Sequence, residues 1–213
     1  MRTHGWGGNP PLDDDEAVAR ILVATRGVID EKGAATNLAD VARILGVTRQ
    51  TVYRYFPSKT DLSFALSDEA GHILLTDLQA AAQGLSALEA VRATAQTYLQ
   101  FARTRPALYA VKMSHCKSGG EEPPSHGQVW AFVLSFTEGL NTPWDREDLA
   151  LSLWAALHGL VELDRADMLD GRDAQATLNV MLDVLLAGLA SGLASGPTSA
   201  PLSAQRPTQP RQA

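Results

Sequence analysis

Residues 38–59 read LADVARILGVTRQTVYRYFPSK, and two short helical patterns meet in them at a glycine. Leu38, Val41, Ala42 and Leu45 recur at i, i+3, i+4 and i+7, the spacing that gathers side chains on one helical face. Gly46 ends this pattern, because glycine takes the left-handed conformation after a helix without steric cost. Thr48 follows, a residue whose hydroxyl can cap a second helix. In that second helix Val52, Tyr55 and Phe56 face inward, leaving Arg49, Gln50, Thr51, Tyr53 and Arg54 outward. Ala42, just before the turn, is small enough for the two helices to pack tightly. The layout is that of a helix-turn-helix, whose second helix enters a DNA major groove.

A generic helical hairpin also contains Ala-x-x-x-Gly, so the decision rests on what the second helix exposes. Between residues 41 and 60 the charged side chains are Arg43, Arg49, Arg54 and Lys59, with no acid among them. Thr48, Arg49, Gln50 and Thr51 stand at the entry of the helix. There arginine pairs bidentately with guanine, glutamine with adenine, and threonine can touch a thymine methyl. Tyr53 and Tyr55 offer hydroxyls of the kind that contact phosphates. Lys59 belongs to the first turn of the next helix, whose N–H groups attract anions. Arg43 reads equally as a solvated surface charge.

Residues 51–62, TVYRYFPSKTDL, closely resemble the most characteristic segment of the TetR family of bacterial transcriptional regulators. The resemblance runs back through AATNLADVA at residues 34–42 to the first helix and covers roughly residues 13–66. A weaker echo, LWAALHGL at residues 153–160, looks like the Trp-His-Gly helix of one group of TetR-like C-terminal domains. The resemblance implies base contacts from the entry of the recognition helix and phosphate contacts from Tyr53, Tyr55 and Lys59. Gln50 departs from the family pattern, where small residues or proline are common, so base preference does not carry over. The family also implies a homodimer on a near-palindromic double-stranded operator. A small-molecule effector in the body would shift the fourth helix and release the DNA.

Composition fits this reading. Alanine and leucine dominate, no alternating Val/Ile/Thr run reads as a strand, and the expected class is all-α with about nine helices. A single cysteine, Cys116, forms no internal disulfide, as in a reducing cytoplasm. MRTHGWGGNPP at the start has no apolar h-region of a signal peptide. The apolar run near residues 180–189 contains Asp183 and is too short for a bilayer, so no membrane partner is expected. The formal charge of −6 argues against nucleic acid only until the chain is divided. Residues 1–66 carry eight basic and eight acidic side chains, the acids mainly at the ends of the first helix. The helix-turn-helix itself is left basic, and an acidic remainder limits non-specific DNA binding.

The expected organisation is a flexible arm at 1–12, a three-helix DNA-binding head at 13–57, an effector and dimerisation body at 58–193, and a disordered tail at 194–213. Arg2 in the arm is a possible minor-groove contact. Asp13-x-x-Glu16, Ser58-x-x-Asp61 and Ser86-x-x-Glu89 read as helix starts, as does Thr142-Pro143, while Val129 to Leu140 outlines a seventh helix. Aromatic residues concentrate in the body. Tyr98, Phe101, Met113, Trp130, Val133, Trp154 and His158 are expected to border an apolar effector cavity. Each of them alone reads as core, and His158 as a core histidine with satisfied nitrogens. The eighth and ninth helices, through Leu153, Leu157, Leu178, Leu182, Leu185 and Leu189, are expected to form the dimer seam.

His115, Cys116 and His126 lack metal-ligand spacing, so no metal and no cofactor is expected. No nucleophile elbow, zinc-protease or phosphate-loop motif is present, and no enzymatic activity is expected. The alternative function is a ligand-independent DNA-binding protein whose body serves only dimerisation.

Overall fold

The computed structural model describes residues 6–32, 37–117, 121–138 and 144–195. Among them nine α-helices and no strand are found: α1 (Asp14–Lys32), α2 (Leu38–Leu45), α3 (Arg49–Tyr55), α4 (Lys59–Ala82), α5 (Ala87–Thr104), α6 (Pro106–Lys117), α7 (Pro124–Ser135), α8 (Arg146–Arg165) and α9 (Ala174–Ser195).

Two apolar cores divide the molecule, and α4 belongs to both. In the head, Ile21 and Val28 of α1 meet Val41 of α2 and Val52 of α3, all fully buried. Leu62 and Leu66, in the first turns of α4, complete that core. One, two and three turns later Ala70, Leu74 and Leu78 of the same helix enter the body core with Tyr98, Leu99, Tyr109, Leu157 and Leu178. Each fully buried leucine contributes about 1.5–3 kcal/mol relative to exposure. A displacement of α4 therefore disturbs both cores at once.

The helix starts follow local chemistry. The Ser58 hydroxyl accepts from the Asp61 amide at 3.1 Å while the Asp61 carboxylate accepts from the Ser58 amide at 2.8 Å. Glu89 likewise accepts from the Ser86 amide at 3.0 Å. Asp13 accepts from the Glu16 amide at 2.8 Å, and Glu16 returns to the Leu12 amide at 2.6 Å. For α8 the expected start at Thr142-Pro143 is corrected. Those two residues lie outside the described ones, and the helix begins at Arg146, where Asp145 accepts from the amides of Glu147 and Asp148. A carboxylate that satisfies two orphan amides sets the boundary more strongly than a proline that merely tolerates it. The seventh helix ends at Ser135, short of Leu140, which also lies outside the described residues.

The ends of the chain need correction too. Residues 6–12 are docked rather than a free arm. Trp6 packs edge-on against Tyr55 at 6.5 Å between ring centroids, and Arg20 donates to the Asn9 carbonyl at 2.6 Å. Arg2 lies outside the described residues. At the other end α9 continues to Ser195, past the expected tail boundary at 194, while the remainder of the tail lies outside the described residues.

The head is fastened to the body at residues 68–71 of α4. Arg26 of α1 pairs with Glu69 at 3.2 Å. Burial pushes the Glu69 carboxyl above the usual range, against the lowering pull of Arg26. Asp68 accepts from the Ser125 amide of α7 at 2.9 Å. Gly71 lies directly beneath Ser125, where an added Cβ would come within 2.1 Å of its Oγ. Only glycine allows α7 to approach α4 this closely.

Candidate nucleic-acid interface

The turn between α2 and α3 is built by hydrogen bonds that its residues make locally. Asn37 caps α2, its Oδ1 accepting from the amides of Ala39 and Asp40 at 2.9 and 3.1 Å. Gly46 has φ 63°, and the Val47 and Gly46 amides return to the carbonyls of Ala42 and Arg43 at 2.9 and 3.2 Å. That pair of bonds is a Schellman motif, which needs the left-handed conformation at Gly46. Thr48 caps α3 by accepting from the Thr51 amide at 3.2 Å, and its hydroxyl meets that of Thr51 at 2.9 Å.

The motif buries Val52 and Phe56 and leaves Thr48, Arg49, Gln50 and Tyr53 exposed, with Thr51 and Tyr55 half-buried. Six of the seven residues expected to contact DNA thus lie in one recognition helix and its cap. Lys59, the seventh, is exposed at the first position of α4.

The acids of the head are largely engaged with one another's neighbours. Asp40 lies 3.7 Å from Arg43, Asp61 is held in the α4 capping box, and Asp14 of α1 lies 3.6 Å from Arg54. Arg49 and Lys59 make no ion pair among the described residues and are left to interact with an external anion.

Tyr55 faces inward beside Val52 and Phe56 and is half-buried. Burial, assisted by a hydrogen bond with Asp14, raises its hydroxyl above the usual phenol value, and the Arg54 guanidinium lies 5.5 Å from its ring. With its ring 6.5 Å from that of Trp6 and Asp14 near its hydroxyl, Tyr55 ties α3 to residues at the start of the chain. The sequence reading missed this tie because Asp14 and Trp6 are far from Tyr55 along the chain.

In the body, Tyr98, Trp154 and His158 do come together. Trp154 and His158 lie 4.2 Å apart between centroids, and Tyr98 lies 5.1 Å from Trp154. His158 Nδ1 donates to the Trp154 carbonyl at 2.9 Å, so in the neutral ring Nε2 accepts from the Tyr98 hydroxyl at 2.7 Å. Burial depresses the His158 pKa below its ordinary 6.5, which keeps the ring neutral. Behind it Tyr109 donates to Glu162 at 2.9 Å, and burial is the first cause that pushes its hydroxyl up to about 12.

Tyr98 and Trp154 border an apolar cavity of only about 50 Å³, lined also by Val133 and Leu157. The expected lining is therefore corrected for four residues. Phe101 is buried beneath Arg105, whose guanidinium lies 5.4 Å from its ring, and Met113 packs against the outside of the body core. Neither Trp130 nor His158 reaches the cavity, and both His158 nitrogens are already partnered inside the chain.

The dimer seam is corrected as well. Leu157, Leu178, Leu182 and Leu189 lie in the chain's own core, Leu178 with no exposure, because α9 turns them toward α5 and α8. Leu153 and Leu185 line the small cavity and stay half-exposed, so the correction does not extend to them. What α8 and α9 leave in solvent is another stripe. Leu151 is 55% exposed, Val180 64% and Val184 67%, with Ala155, Gly159, Ala187 and Gly188 in register beside them.

Of the metal-capable residues, His115 and Cys116 have side chains outside the described ones, and His126 lies 3.7 Å from Glu122. Among the described residues no group of His, Cys, Asp and Glu could hold a metal ion, and no helix is long and apolar enough to cross a membrane.

Comparison with known proteins places this geometry. Residues 21–66 match the model of the tetR family of bacterial regulatory proteins, and residues 91–197 that of the tetracyclin repressor-like C-terminal domain. A nucleoid occlusion factor, SlmA, from Glaesserella parasuis serovar 5 (strain SH0165) is 31% identical over 100 residues, 47% of either chain. The alignments thus span 36–47% of the length of the curated relatives that the chain matches. A protein of unknown function from Rhodococcus sp. RHA1 superposes with a TM-score of 0.72 at 22% identity, over 81% of this chain and 95% of that one. A bacterial regulatory protein in the tetR family from Rhodococcus RHA1 superposes with a TM-score of 0.61 at 21% identity, over 81% and 96%. At such identities these two show a shared fold.

Proposed function

Because this chain belongs to the TetR family of DNA-binding transcriptional regulators, we propose that it works in the cytoplasm as a homodimeric repressor of a near-palindromic operator. The observation that carries the proposal is the exposed edge of α3. Arg49 and Gln50 stand there without an acid partner among the described residues, on a capped helix, with Lys59 at the start of α4. Side chains of this kind read base edges and hold phosphates, and a capped helix presents them with little entropy left to lose.

Two heads need a two-fold axis, and the exposed stripe of Leu151, Val180 and Val184 supplies a surface for one. Paired with a second copy, α8 and α9 form a four-helix interface whose small residues allow close approach. The effector, a small and mainly apolar molecule, enters beside Tyr98 and Trp154 by widening the cavity there. Since the drug-sized molecules that proteins bind need about 300–1,000 Å³, such binding selects a more open body. α4, shared by both cores, then carries that change to the head.

A second reading has an observation of its own. A cavity of about 50 Å³ is close to a filled core, as suits a DNA-binding protein whose body serves only dimerisation. No catalytic role is proposed.

Footprinting on the DNA that flanks the protein's own coding region tests the shared part. Protection of two half-sites about one helical turn apart is expected. Uniform weak binding, with no protected site, would remove the operator claim.

A further inference from the structure

An apolar recess wider than the body cavity lies elsewhere among the described residues. It lies at the junction of head and body, between α1, α4 and α6, where a groove of about 590 Å³ is walled by Ile29, Leu38, Leu62, Leu66 and Val111. The cavity at Trp154 holds about 50 Å³. A groove of the first size matches the volume that small-molecule sites generally have, without any opening of the fold. Its polar lining is sparse, and among the described residues that line it Lys59 is the one charged side chain. Among the described residues no acid lines the groove and Lys59 makes no ion pair.

We propose that this junction groove binds a small amphiphile with an apolar body and one anionic end, the body lying between α1 and α6 and the anion pairing with Lys59. Charge complementarity selects the class. A cationic amphiphile would meet Lys59 with like charge, and an uncharged one would leave it without a partner. The consequence for regulation rests on the operator reading above. Lys59 cannot serve the ligand and an operator phosphate together, and a body wedged between α1 and α6 biases the angle of the head. Such a ligand binds the DNA-free form more tightly and lowers operator affinity by the same factor.

Photolabelling of the full chain with a diazirine-bearing dodecanoate tests the site without DNA, so a failed operator reading leaves this result standing. Saturable labelling is expected in peptides from α6 and the first turns of α4, displaced by dodecanoate at least ten-fold more readily than by dodecylamine. Lys59→Gln should abolish the preference of dodecanoate over dodecanol. Ala110→Trp, which places an indole on the groove wall, should cut labelling about ten-fold with an unchanged far-UV circular dichroism spectrum. Labelling confined to α5, α7 and α8 around Trp154 would overturn the proposal, as would a carboxylate preference that survives Lys59→Gln. Labelling that falls as protein concentration rises would assign the groove to a second copy of the chain and overturn it too.

Discussion

In the head, α3 buries Val52 and turns Arg49, Gln50 and Tyr53 to solvent. In the body, α5 buries Thr94, Tyr98, Leu99 and Phe101, and the aromatic rings of its neighbours close around them. The head thus offers chemistry on a surface that exists before any partner arrives. The body offers almost none, because its aromatic residues have filled the space between them down to about 50 Å³. Recognition by a rigid surface and response by a packed interior are separate tasks, and α4 joins them by belonging to both cores. The junction groove is where neither packing scheme is complete.

The comparison breaks most visibly if the outer face of α8 and α9 is not an interface. Val184→Glu, on the exposed stripe, should give monomers in sedimentation and lower operator affinity by about 100-fold or more, since the two heads lose their tether. An intact dimer of this variant at micromolar concentration would place the interface elsewhere. Leu178→Ala probes the opposite side of α9. It should cost about 2–5 kcal/mol in urea unfolding, as truncation of a fully buried leucine does, while the variant remains dimeric. A dimer lost without that cost would return Leu178 to the interface.

Smaller effects separate the roles within the head. Arg49→Ala should cost about 1–3 kcal/mol on the operator and relax preference at one base position, measured by competition with substituted sites. Lys59→Ala should weaken all sequences alike and lower the salt dependence by about one counterion. Equal effects of both on specific and non-specific DNA would deny α3 its reading role. The smallest effect is expected at His158. Its folded pKa lies below the ordinary 6.5, so the unfolded chain takes up the proton first as pH falls. The stability it contributes is fully present above pH 6.5 and is lost as pH drops through the depressed folded value. Thermal melts in that window should show the loss in the natural protein and not in His158→Gln.

The elements legible in the sequence share one property. Gly46, Thr48, Ser58, Asp61, Ser86 and Glu89 act on neighbours within a few residues, so their hydrogen bonds are encoded where they are used. The exposed face of α3 was readable for the same reason, since Thr48 and Val52 fix its phase. Tyr55 was not, because Asp14 reaches it from another helix. In the body the apolar residues of α9 were legible, but the side on which each meets the core was not. α9 carries leucine at 178, 182, 185, 186 and 189 and valine at 180 and 184, so apolar residues surround it. Periodicity proposes a stripe there but cannot say which stripe faces inward.

By itself, then, the sequence determined the helices with their caps, the turn at Gly46 and the unpaired basic edge of α3, all products of local geometry. Tertiary structure alone decided that Leu178 and Leu182 turn inward while Val180 and Val184 turn out. It also decided that Trp154 and Tyr98 close over a small cavity, and that α1, α4 and α6 leave a groove at Lys59. Those outcomes depend on which surfaces meet across many residues of chain, and the free energy of burying an apolar face is indifferent to sequence order.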